Sequence, residues 1–188
     1  ANRPGSLSGN ANGIGQCAMA YDLLGQRVVL FGGELFQGIV PAPSAVLLYN
    51  GVDWSLGNAP LQPPRRAQAA LCSAPSLGGV LLFGCTNFNN PPGPNGEIVW
   101  NDLWVYSSLT DTWGQLQPSG PVPLARAGAS LHFDSRTGRY IMHGGYMSST
   151  SGTTPLSDTW AFDGTSWVDL SAQVGNPAAP RAYFGWAD

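Results

Sequence analysis

Apolar residues in this chain come in short runs, the longest four or five residues, separated by turns rich in Gly, Pro, Ser and Asn. The stretch "GASLHFD" at 128–134 alternates small or polar with apolar residues, the pattern of a half-buried strand. "SRTG" at 135–138 is a turn, and "RYIMHGG" at 139–145 is a second, more apolar strand ending in two glycines. "DTWAFD" reads as a third strand and "SWVDL", after a "GT" turn, as a fourth. No helical periodicity of useful length occurs, so the pattern predicts an all-β chain with almost no helix.

The same grammar recurs. An Arg followed by a small residue opens a unit at Arg66, Arg126 and Arg181. An apolar run then ends in two small residues: Gly32-Gly33, Gly84-Cys85 and Gly144-Gly145. An aromatic precedes a Trp: Tyr49 before Trp54, Tyr106 before Trp113, Phe162 before Trp167. Gly32 and Gly84 are 52 residues apart, Gly84 and Gly144 are 60 apart, and insertions after the glycines account for the difference. Unit one departs from the pattern, with Ile14 at the Arg position and no Asp before its third strand. Cys85 replaces a glycine where only a small residue fits. One meander cannot bury both its faces; copies stacked around an axis can.

These residues resemble the kelch repeat, the blade of kelch and galactose-oxidase-like propellers, with its twin glycine, third-strand aromatic and fourth-strand Trp. The resemblance covers 15–170 and implies a kelch-type β-propeller of three four-stranded blades plus the first strand of a fourth. The expected division is 1–14 as a flexible segment or outer strand, blades at 15–60, 61–120 and 121–176, and a further first strand at 177–188. Propellers typically have four to eight blades, so this count leaves the ring open. A segment of a longer protein is favoured over closure by copies, and residues 1–188 alone are expected to aggregate or assemble through their open edges.

The net charge of −3, with no lysine, argues against a nucleic-acid surface or a cationic membrane helix. Absence of lysine fits a GC-rich bacterial source. No apolar run is long enough to span a membrane as a helix, and no signal peptide is visible; an extracellular or cell-surface location is slightly favoured. Cys17, Cys72 and Cys85 lack metal-ligand spacing and read as small hydrophobes rather than a disulfide, since Cys72 and Cys85 are offset in register.

No P-loop, HExxH, GxSxG or CxxC motif occurs. His132 and His143 fall on one hairpin, too few for a metal site. Asp102 and Asp158 stand just before the third strand of their units, on the rim that also carries Arg66, Arg126 and Arg181. Arg forks favour two-point carboxylate pairing, so bracing ion pairs are expected rather than the acid and base of a glycosidase. Gly32, Gly33, Gly84, Gly144 and Gly145 read as structural, as do Trp54, Trp113 and Trp167, taken as wedges between blades. The long loops after the twin glycines carry the candidate binding residues Phe36, Asn87, Phe88, Asn89, Glu97, Trp100 and Tyr146.

The expected function is a non-catalytic binding or scaffold module that engages a protein partner through one loop face, without cofactor. A copper enzyme of galactose-oxidase type is the second reading, though its two His ligands would have to come from beyond this one hairpin. Carbohydrate binding by the aromatic loops is the third.

Overall fold

The computed structural model describes residues 14–35, 40–41, 45–88, 97–149, 152–173 and 179–182. These are nearly all β; the one helical element among them is a 3-10 turn at Pro75–Leu77. Three four-stranded antiparallel sheets follow in chain order. Sheet one comprises Ala18–Asp22, Arg27–Phe31, Val46–Tyr49 and Trp54–Leu56. Sheet two comprises Ala70–Ala74, Gly79–Phe88, Glu97–Ser107 and Thr112–Leu116. Sheet three comprises Ser130–Asp134, Arg139–His143, Thr159–Phe162 and Trp167–Asp169. In each, strands pair in sequence order, a meander. First strands of neighbouring sheets lie against one another, so the sheets fan about an axis in a propeller-like arrangement. Ile14–Gly15 pairs with Glu34–Leu35, and a hairpin joins Tyr146–Ser149 to Gly152–Pro155, both on the loops after second strands. The expected N-terminal segment falls outside the described residues except for Ile14. Of 177–188, only 179–182 are described, and they form no strand.

Register decides which side chains share a face. In sheet two, Val80, Leu82, Trp104 and Tyr106 turn to sheet one and join a core with Val29, Phe31, Val46 and Leu48. The intervening Leu81, Phe83 and Leu103 turn to sheet three and meet Leu131, Tyr140, Met142 and Phe162. The central sheet is thus buried on both faces, the physical reason its second strand reads as the unbroken run "VLLF" rather than as an alternation.

The fourth-strand tryptophans follow one rule. Trp113 packs on Phe31 of the preceding sheet, with ring centroids 4.8 Å apart, and on its own Tyr106 at 5.0 Å. Trp167 packs on Phe83 of the preceding sheet at 5.5 Å and on Phe162 at 5.0 Å. Trp54 has Tyr49 beside it at 5.2 Å but no described sheet before it, and is 37% exposed where Trp113 is 5%. Trp113 and Trp167 thus sit between two sheets, while Trp54 has a described neighbour only in its own sheet.

Short turns gather at one end of the sheets and are tied by aspartates. Asp163 accepts from the Thr165 and Ser166 N–H groups, and Asp134 from the Arg136 N–H and the Thr137 hydroxyl. Asp22 takes the Leu24 and Gly25 N–H groups and also Ser108 N and Oγ, linking sheet one to sheet two.

Candidate functional site

The opposite end carries the arginines, the twin small residues and the long loops. Where a second strand ends, its last small residue donates to the carbonyl of the next unit's Arg: Gly33 N to Arg66 O at 2.8 Å, Cys85 N to Arg126 O at 3.1 Å, Gly145 N to Arg181 O at 2.9 Å. That approach is why the first small residue is glycine. A Cβ on Gly32 would lie 2.3 Å from Arg66 O, and one on Gly84 2.6 Å from Arg126 O, both at positive φ. Cys85 is accommodated at a φ of 154°, nearer extended than the 104° of Gly33.

The side chain of each Arg then turns back into its own sheet. Arg66 forks onto Asp102 at 2.8 and 2.7 Å, and Arg126 onto Asp158 at 2.5 and 2.6 Å. Both guanidiniums are fully buried. Each carboxylate takes a further bond from an indole N–H two residues on, Trp104 at 2.7 Å and Trp160 at 2.8 Å. Burial opposes ionisation of Asp158, but the Arg126 and Trp160 hydrogen bonds and the Arg126 charge outweigh it, so its carboxyl titrates below the ordinary value. The indoles went unnoticed in the sequence; the spacing Asp-x-Trp at 102–104 and 158–160 was the available signal. Register puts Ala45 and Leu47 where these sheets have Asp and Trp, so sheet one has no such grip.

Of the candidate binding residues, Phe36 and Asn89 lie outside the described residues, and Asn87, Phe88 and Glu97 are described as backbone only, in paired strands. Trp100 lies under Arg66, whose guanidinium carbon is 5.1 Å from the ring centroid. Tyr146 is 6% exposed, its hydroxyl donating to Gln68 Oε1. His132 and His143 share one face of their hairpin; His143 is buried, bonded through Nδ1 to Thr159 Oγ1 at 2.9 Å, and burial followed by the charge of Arg181 lowers its pKa. Among the described residues no group of three His, Cys, Asp or Glu is placed to hold a metal. The cysteines are free thiols; Cys72 and Cys85 are buried, which raises their pKa.

Along the axis the first strands line a cleft of about 400 Å³, bounded by residues 18–21, 69–73 and 129–132. At its long-loop end stand three equivalent residues, Gln16, Gln68 and Gly128, all at left-handed φ of 56°, 58° and 63°. Gln68 N donates to Gln16 O and Gly128 N to Gln68 O, both at 2.9 Å. A side-chain relay joins two of them to neighbouring units: the Tyr146 hydroxyl donates to Gln68, the Gln68 amide to Gln16, and the Gln16 amide to Glu34. Sequence reasoning missed Gln16, Gln68 and Glu34, because nothing local marks residues that meet only when three units converge.

No family model matches the chain. A curated relative, the dynein alpha chain of the flagellar outer arm of Chlamydomonas reinhardtii, is 28% identical over 194 residues, covering 92% of this chain. The chain spans only 4% of that relative's length. Among solved structures, YjhT aligns with a TM-score of 0.58 and 16% identity, over 84% of this chain and 51% of YjhT. At that identity the likeness is one of fold, and the fold is propeller-like.

Proposed function

We propose that this chain is a non-catalytic binding or scaffold module of kelch-propeller type, with blades at 15–60, 61–120 and 121–176 and a further first strand at 177–188. It engages a protein partner through the long-loop face. The observation that carries this reading is the asymmetry of the two ends. At the short-turn end, Asp22, Asp134 and Asp163 are spent on turn N–H groups. The other end holds the described stems of the long insertions, with the binding candidates Asn87, Phe88 and Glu97 in paired strands, and by sequence Phe36 and Asn89 belong to the same insertions. The Arg66–Asp102 and Arg126–Asp158 pairs serve as the frame under that face, and aromatic and polar residues in its loops suit an interface.

Photo-crosslinking residues introduced singly at positions 36, 88, 77 and 136 test it in cells of the native source. A protein adduct from 36 and 88, with none from 77 and 136, is the expected result. Adducts from 77 and 136 alone would place the docking face at the wrong end.

A further inference from the structure

We propose that the mouth of the axial cleft binds a primary ammonium group, the side chain of a lysine presented by the protein partner, with Glu34 as its counter-ion. This rests on the long-loop face being the docking face, and names the chemistry of the contact.

The first support is the electrostatic position of Glu34. Asp102 and Asp158 each have an Arg fork, the two ion pairs among the described residues. Asp22, Asp134 and Asp163 take turn N–H groups. Glu34 instead receives one amide hydrogen, from Gln16. Its pKa is raised by burial, the direction expected of a carboxylate that lacks nearby positive charge. A bound cation supplies that charge.

The second support is the relay itself. Every donor in it points towards Glu34, from Tyr146 through Gln68 and Gln16, which keeps the carboxylate an acceptor near the ends of the first strands that line the cleft. The two amides are also held where their backbone favours another residue. Gln16 and Gln68 adopt left-handed φ, which the third unit meets with Gly128 at lower cost. Glutamine at these two positions makes sense if the amides do work that the backbone does not require.

The third support is the shape below the mouth. Small residues line part of it, Ala18, Ala20, Ala69, Ala70 and Ala129 among them, which leaves room for a side-chain stem. Lysine joins such a stem to a compact head with three donors, and this chain has no lysine of its own.

The probe is Nα-acetyl-lysine-methylamide, added to the isotope-labelled protein while the side-chain amide signals of Gln16 and Gln68 are followed. Saturable shifts are expected, and none from the same compound acetylated at Nε, which has lost its charge. Glu34→Gln should weaken binding about tenfold or more, the scale of a lost charge-assisted contact. The double change Gln16→Gly and Gln68→Gly should leave the melting temperature equal or higher and still weaken binding several-fold. Equal response to the Nε-acetylated compound, undiminished binding by either folded variant, or no saturable shift at millimolar probe would each overturn the ammonium site. If the probe fails while crosslinks from 36 and 88 persist, the docking face stands and only the ammonium site falls.

Discussion

Sheets one and two are built from the same meander yet end in different surroundings. Sheet two has a neighbour on each face, an Arg–Asp–Trp grip at its long-loop end, and a buried fourth-strand Trp. Among the described residues, sheet one meets another sheet only on the side of sheet two. Its other face presents Met19 and Tyr21 on the first strand, and Trp54 and Leu56 on the fourth. Met19 is 60% and Leu56 64% exposed. The outward face of sheet three differs again: register gives it Ser130, His132, Ile141, His143 and Thr159, a mixed polar and apolar set in which Ser130 and His143 are buried. The comparison teaches that the repeated Trp is not a wedge in itself. It becomes one when the preceding sheet supplies an aromatic partner, as Phe31 does for Trp113 and Phe83 for Trp167.

The sharpest way to break that comparison is to remove each Trp in turn. Trp113→Ala and Trp167→Ala should each cost about 3–5 kcal/mol in chemical unfolding, the range for emptying a core aromatic site. Trp54→Ala should cost about 1 kcal/mol, since much of its surface stays in water. Equal losses at all three positions would mean that the preceding sheet contributes nothing.

Next in size is the ion pair that sheet one lacks. Asp158→Ala strands the buried guanidinium of Arg126 and should cost about 3 kcal/mol, at the low end for a broken buried pair because the carboxylate is partly exposed. A change below about 0.5 kcal/mol would show the pair to be ornamental.

The pH dependence of that loss follows from the direction of the Asp158 shift. Its carboxyl titrates below its ordinary value of 3.8 when folded, so its contribution is present above that pH and fades as pH falls through the lowered folded value. The stability gap between the parent and Asp158→Asn should therefore be constant near neutrality and shrink in acid. A gap that widens in acid would reverse the sign.

The smallest effect belongs to the bare face. Met19→Ser with Leu56→Ser should change stability by less than about 0.5 kcal/mol per site, while light scattering at high concentration falls. Unchanged scattering would mean that this face mediates no association.

Much of the architecture was readable in one dimension. Alternation in "GASLHFD" and the Gly-Gly ends of "RVVLFGG" and "RYIMHGG" report constraints that act within a strand or across one turn, so they leave a periodic trace. Arg66 and Asp102 were also legible, because a repeat puts equivalent residues at equivalent points of each unit. The identical tripeptide Asp-Thr-Trp at 111–113 and 158–160 shows the limit of such reading. Asp158 receives the Arg126 fork and the indole of Trp160, whereas Asp111 accepts from the Tyr106 hydroxyl and the Asn58 N–H, tying sheet two to sheet one. Register alone separates the two roles.

By itself the sequence determined the strand pattern, the repeat and the pair of small residues closing each second strand, because those recur with the unit and with burial of alternate side chains. Only the tertiary structure decided which Trp is covered, and which polar residues meet at the cleft. Gln16, Glu34, Gln68 and Tyr146 are far apart in the chain and belong to no common motif. Their meeting depends on how three sheets fan about one axis, a geometry set by packing between sheets and written in no single segment.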